Sequence, residues 1–269
     1  MLKRTVTAVV LLCILLVCLW LGKYTSVLLF FCLAWLACGE MADAENKMGL
    51  KASALPARIY SLLVALIFLF RSEMLWELCA LIVVIAFTLT EGMFKKRPFR
   101  DQMASLFICM YPATFLLGMC YVCVQENALM VPVIAITFCA ASACDMFAFF
   151  GGKLFGKHPL APHVSPKKTI EGSICGFIFG TAAGLLPWAV LRAMHLSTLP
   201  VGVYLLAAFL CALMGQIGDL CASMIKRQAG IKDFSDILPG HGGIIDRMDS
   251  YMFALPMAFF IVSVFLKLN

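Results

Sequence analysis

The charged residues of this chain gather late, and in a pattern. Gly218-Asp219-Leu220 is followed by Ser223, Lys226, Arg227, Lys232 and Asp233, then by Leu238-Pro239-Gly240-His241-Gly242-Gly243, and then by Asp246, Arg247 and Asp249. On a helix Asp219, Ser223 and Lys226 stand at i, i+4 and i+7, so they share one face over about 10 Å of rise. Asp246 and Asp249, at i and i+3, share a face where the next helix begins. Three carboxylates can therefore converge where two helices reach an interface, and hard oxygens without Cys or clustered His suit Mg²⁺ better than zinc. Ion pairing with Lys226, Arg227 and Arg247 would account for the charges. It does not account for Gly240, Gly242 and Gly243 around His241, which allow positive φ and a close backbone approach. Carboxylates for a cation, Lys and Arg for phosphates, and a glycine-rich loop between them are the parts that phosphoryl or nucleotidyl transfer uses.

Two weaker constellations lie upstream. Asp145 stands about a turn and a half inside the end of an apolar helix, where an unpaired carboxylate is costly and marks a functional site unless it forms a structural ion pair. It is followed by Gly151, Gly152, Lys153, Gly156 and Lys157. Gly151 to Lys157 fits the first seven positions of a Walker A motif, but His158 replaces the magnesium-binding hydroxyl and no buried strand precedes it. A flexible loop with two lysines, able to approach phosphate through backbone amides, is the remaining expectation. In Ser165-Pro166-Lys167-Lys168-Thr169-Ile170-Glu171-Gly172, Pro166 suits a first helical turn and Ser165 or Thr169 could cap it. The free N–H groups there would hold an anion beside two lysines.

The elements that position these groups must lie in lipid. Of 269 residues 63% are hydrophobic and only 13% charged, with mean hydropathy +0.97. Soluble chains are about 25% charged, so a water-soluble body is excluded, and disorder, coiled coil and collagen-like repeats fall with it. The net charge of +6 then sets topology and meets lipid headgroups rather than nucleic acid. The 13 cysteines lie nearly all within apolar runs and read as small packing side chains. Cys120 and Cys123 form a C-x-x-C in mid-helix with no second pair and no nearby His, a poor metal or redox site.

About nine transmembrane helices are expected, over 5–22, 25–39, 55–70, 74–91, 103–124, 129–150, 172–193, 200–225 and 250–267, with a tight hairpin between the first two. The fold class is all-α and polytopic. With the N-terminus inside, 17 of the 21 Lys and Arg fall on the cytoplasmic side and only Lys23, Arg71, Arg192 and Lys267 on the other, which supports N-in, C-out. Residues 1–127 read as a scaffold of about five helices with no charge deep in a span. Residues 128–269 read as a catalytic region of about four.

The run Ser223 to Asp249, S-M-I-K-R-Q-A-G-I-K-D-F-S-D-I-L-P-G-H-G-G-I-I-D-R-M-D, resembles the signature of bacterial phosphatidate cytidylyltransferases. Lys153 to Gly172 and the pattern D-x-x-A-[YF]-x-x-G from Asp145 to Gly152 are also similar to that family, with Phe149 where Tyr is common. The resemblance implies transfer of CMP from CTP to phosphatidate, Mg²⁺ with K⁺ beside it, a homodimer, and a cytoplasmic-face site in a bacterial inner membrane. By carry-over Asp219, Asp246 and Asp249 would be metal residues, and Ser223, Lys226 and Arg227 would hold phosphates. Catalytic roles fall to Lys226, Arg227, Asp246 and Asp249. Substrate binding falls to Asp145, Lys153, Lys167, Lys168, Ser223, Lys232, His241, Gly242, Gly243 and Arg247. A CTP-dependent polyprenol or lipid kinase would share this chemistry but not the uninterrupted 223–249 match. A transporter would favour midplane sites and internal repeats, and no repeat is visible.

Overall fold

The computed structural model describes residues 2–70, 74–238 and 240–268. Arg71, counted above as an outward charge, and Pro239 of the glycine loop lie outside the described residues. The chain is helical almost throughout. In order come α1 (Leu2–Leu21), α2 (Lys23–Lys47), α3 (Leu55–Phe70), α4 (Met74–Phe94), α5 (Phe99–Ile108), a π-helical turn (Cys109–Thr114) and α6 (Phe115–Cys123). Then follow α7 (Asn127–Phe155), strands β1 (Pro159–Ala161) and β2 (Ser165–Thr169), α8 (Ile170–Ala182), α9 (Leu185–Ala193), α10 (Val201–Gln228) and α11 (Ile244–Leu268). Among the described residues, seven helices are long and apolar enough to cross a membrane, with Phe99–Cys123 and Ile170–Ala193 each taken as one span. The 20-residue α1 and 16-residue α3 occupy the two other expected stretches. This is the all-α polytopic protein the composition requires.

The chain divides into two compact units. The first comprises Met1–Val124 with Ile225–Arg247, the second Gln125–Met224 with Met248–Asn269. In the first unit α2 presents Val27, Phe30, Ala34, Ala37, Cys38, Met41 and Ala44 at helical spacing, all buried, against α3 and α6. That inward face explains why α2 runs to Lys47 rather than ending near residue 39. Glu40, Met41, Ala44 and Glu45 continue the buried stripe, and these residue types are good helix formers. The N-terminal helices therefore do hold buried carboxylates, contrary to expectation. Glu77, in the first turn of α4, is a second case, accepting a hydrogen bond from the Tyr60 hydroxyl at 3.0 Å. Cys120 and Cys123 are buried free thiols, and Cys120 Sγ contacts the Val27 carbonyl at 3.7 Å. They are packing groups.

In the second unit α7 and α8 lie close along their lengths. A Cβ on Gly176 would stand 2.6 Å from the Cys144 carbonyl oxygen, so only small residues allow this approach, as is common between helices in lipid. The same packing overturns the expected flexible loop at Gly151–Lys157. α7 continues through Phe155, and Gly151 faces Cys175 of α8. These glycines serve helix contact rather than approach to phosphate. Downstream, Ser165–Thr169 is a strand paired antiparallel with Pro159–Ala161, so Pro166 is not in a helical turn. Thr169 does cap α8, its hydroxyl accepting from the Gly172 N–H at 3.1 Å.

Candidate active site

In the second unit the acids sit on α7, α10 and α11. Gly218 lets α10 approach the backbone of α11 closely, since a Cβ there would collide with the Asp249 carbonyl oxygen. The next residue, Asp219, is half-buried, and its carboxylate accepts from the Lys168 ammonium and, at 3.4 Å, from the Ser223 hydroxyl. The Ser223 contact confirms that i and i+4 share a face of α10. Lys168 reaches Asp219 because side chains alternate along a strand: Lys168 of β2 is half-buried while Lys167 is exposed. The two lysines thus do not form one anion site at the start of α8. Asp145 is exposed and lies about ten residues from the end of α7, deeper in its helix than expected. It accepts from the Ser250 hydroxyl at 3.4 Å. Asp249 is buried and accepts from the Ser250 N–H at 2.7 Å.

In the first unit the centre is Asp246, at the first turn of α11. Its Oδ1 accepts from the Lys226 ammonium at 2.6 Å, and its Oδ2 from the N–H groups of Phe234 at 2.7 Å and Gly243 at 3.0 Å. The loop between α10 and α11 is thereby folded back on itself. Leu238 and Gly242 bridge, with Leu238 N–H to Gly242 oxygen at 3.0 Å and His241 N–H to Leu238 oxygen at 2.8 Å. Gly240 and Gly242 have φ of 78° and 82°, the left-handed region that glycine occupies without strain. A residue absent from every sequence motif completes this cluster. The buried carboxylate of Glu40 on α2 accepts from the Ser235 hydroxyl at 2.6 Å and from the N–H groups of Ile244 at 2.8 Å and Ile245 at 2.9 Å. Local spacing carries no sign of it, because its partners are about 200 residues away.

The other candidates are cations at the surface. Lys153, Arg227, Lys232 and Arg247 are exposed, and Arg227 donates to the Ile231 oxygen at 3.4 Å. His241 is half-exposed, and among the described residues its buried Nδ1 finds no hydrogen-bond partner. Among the described residues no three Asp, Glu, His or Cys side chains are gathered to hold a metal ion; each candidate carboxylate has protein partners instead. The donor chemistry still suits Mg²⁺ in the second unit. Among the described residues Asp219 is held by side chains, which an incoming ion would displace without stranding a backbone group, and Ser223, bonded to it, and Asp249 of the same unit are hard oxygens. Asp246 fits least, since both oxygens are committed and two of its three donors are backbone amides.

Each unit holds a carboxylate with an ammonium group against it, in a chain with seven helices fit to cross a membrane among the described residues, and such groups are the equipment of phosphate chemistry at a bilayer. Comparison with known proteins makes the class specific: the chain belongs to the cytidylyltransferase family, whose model matches residues 2–265, and is accordingly a nucleotidyltransferase. It is 34% identical over 258 residues to the phosphatidate cytidylyltransferase of Staphylococcus haemolyticus, covering 94% of this chain and 96% of that one. The Aquifex aeolicus enzyme of the same name is 31% identical over 241 residues, covering 89% and 82%. A shorter match, 44% over 135 residues, covers 49% of this chain and 33% of the chloroplastic phosphatidate cytidylyltransferase 4 of Arabidopsis thaliana.

Proposed function

We propose that the chain transfers the CMP moiety of CTP to phosphatidate, giving CDP-diacylglycerol and pyrophosphate. The family and the names of the relatives support this, and one observation carries it at the level of residues. In the second unit the Asp219 carboxylate of α10 accepts from the Ser223 hydroxyl one turn on and from the Lys168 ammonium, an acid, a hydroxyl and a cation gathered as phosphate chemistry needs them. The phosphatidate phosphate is its own nucleophile, largely ionised near pH 7 if its second pKa is the roughly 6 of phosphorylated side chains. One of its oxygens attacks the α-phosphorus of CTP, the α–β bridging P–O bond breaks, and the electron pair leaves with pyrophosphate. No general base is required. What the protein must do is bring two polyanions together. Lys226, Lys168 and Arg227 offset the charge on the phosphates, and the glycine loop offers backbone N–H groups. Asp219 and Asp249 would hold Mg²⁺, which neutralises phosphate charge when bound.

The resemblance also implies K⁺ beside the Mg²⁺ and a homodimer, and both belong to this proposal. So does placement in a bacterial inner membrane with the site on the cytoplasmic face, which the bias of Lys and Arg supports. The test is incubation of the purified protein in detergent with phosphatidate, CTP and Mg²⁺. Liponucleotide and pyrophosphate in equal amounts are expected. Release of CDP with phosphorylation of an added polyprenol would identify a lipid kinase instead.

A further inference from the structure

Glu40 is a buried carboxylate, 3% exposed, with no cation paired to it among the described residues and three donors aimed at it. Ile244 and Ile245 open α11, so their N–H groups are among the four at a helix start that lack an intrahelical acceptor. A carboxylate there meets the positive end of the helix dipole. Glu40 thus caps α11 from another helix, 204 residues away in sequence. It does more than cap, because the same Oε1 also accepts from Ser235, at the opposite end of the loop. Gly243 makes room for it: a Cβ there would stand 2.6 Å from both carboxylate oxygens. Asp246 holds Phe234 and Gly243 in the same manner. The segment from Ser235 to Gly243, which carries His241 and Gly242, is therefore held at both ends by two carboxylates.

We propose that Glu40 is a positioning residue for nucleotide binding. It keeps both ends of the glycine loop fixed, so that the loop amides and the Lys226–Asp246 pair hold one arrangement as a polyphosphate arrives. This rests on the reading of that loop as part of the CTP-handling machinery. A carboxylate is needed because all its partners are donors. An amide would turn its own NH₂ on at least one of them, leaving a buried donor unsatisfied.

Glu40→Gln keeps the side-chain shape, and Ser235→Ala removes one of the three donors should the first variant not accumulate in membranes. Each is to be purified in detergent and followed by hydrogen exchange and by kinetics in both substrates. Faster exchange is expected over 234–245 with α7 and α8 unchanged. For Glu40→Gln, kcat/KM for CTP should fall about tenfold or more, the equivalent of one hydrogen bond to a charged group, while KM for phosphatidate stays near wild type. The proposal is overturned if both variants keep wild-type exchange over 234–245. It is equally overturned if the loss falls alike on both substrates and exchange rises alike over α7 and α8, which would make Glu40 a general stabiliser. A wild-type protein that makes no liponucleotide would sink the functional reading separately, and the exchange measurement would still decide whether Glu40 holds the loop.

Discussion

Replacing Asp246 by Asn should loosen the loop between α10 and α11 without unfolding the protein. The Asp246 side chain is 3% exposed and that of Lys226 12%, with 2.6 Å between ammonium and carboxylate. Asn keeps the shape but has one acceptor oxygen. If that oxygen keeps the Phe234 and Gly243 amides, the NH₂ must face the Lys226 ammonium, donor against donor. Breaking a buried pair by removing one partner costs about 3–5 kcal/mol, and at the lower figure the ratio of closed to open loop falls about 150-fold. Lys226→Met removes the other charge and leaves Asp246 with its two amides. The double variant has no uncompensated buried cation, so it should be about 2 kcal/mol more stable than the sum of the single changes allows. Hydrogen exchange of the peptide containing Phe234 and Gly243, in detergent, reads this directly. Wild-type exchange in Asp246→Asn would refute the reasoning, as would strict additivity in the double variant. The Asn variant should also lose turnover while keeping the wild-type Mg²⁺ response, because its oxygens are spent on the loop.

Asp219→Asn should behave in the opposite way, reducing turnover at least about tenfold, or about 1.4 kcal/mol, and weakening the dependence on Mg²⁺; an unaltered Mg²⁺ titration would leave Asp219 as no more than the partner of Lys168. Lys168→Ala should cost about tenfold more activity than Lys167→Ala, since only Lys168 reaches Asp219, and equal losses would undo that assignment. A Cys placed at the exposed Ile237, in a background without native Cys, should react with an impermeant maleimide only when the cytoplasmic face is open; labelling from outside intact cells would overturn the N-in orientation.

The membrane helices were legible in the sequence because the signal is long and one-dimensional. Apolar runs separated by polar breaks locate spans regardless of how they pack. The α10 face was legible for a related reason, since i, i+4 and i+7 positions are fixed by helix geometry, and Ser223 does meet Asp219. What failed were readings that needed to know where an element stops. Gly151 and Gly152 looked like a phosphate loop because glycine permits either a turn or a close helix contact, and only the presence of α8 decides between them. Ser165–Thr169 carries a proline and a capping threonine in the order a helix start would show, yet Pro159–Ala161 lies within reach and pairs with it as a strand. The cap came out right and the proline wrong because the cap depends only on Thr169 to Gly172, whereas the hairpin depends on the whole stretch from Pro159 to Thr169.

Residue type alone also could not sort the carboxylates, and the structure shows what does. Asp219 and Asp246 are the same side chain, both on helices beside a lysine, and both were assigned to a metal by type and spacing. They differ in what accepts their removal from water. Asp246 and Glu40 are satisfied chiefly by backbone amides of the loop and of the α11 start, groups that would themselves be left unpaired if the carboxylate turned to a ligand. Asp219 is satisfied by an ammonium and a hydroxyl, which can each turn to a phosphate oxygen without leaving a backbone group stranded. An acid that takes up two main-chain amides of the loop or of the α11 start is therefore committed to the fold, and one bonded chiefly to side chains is free to exchange partners during a reaction. By that criterion Asp219 suits the proposed Mg²⁺ better than Asp246 does, although the 223–249 signature contains Asp246 and stops short of Asp219.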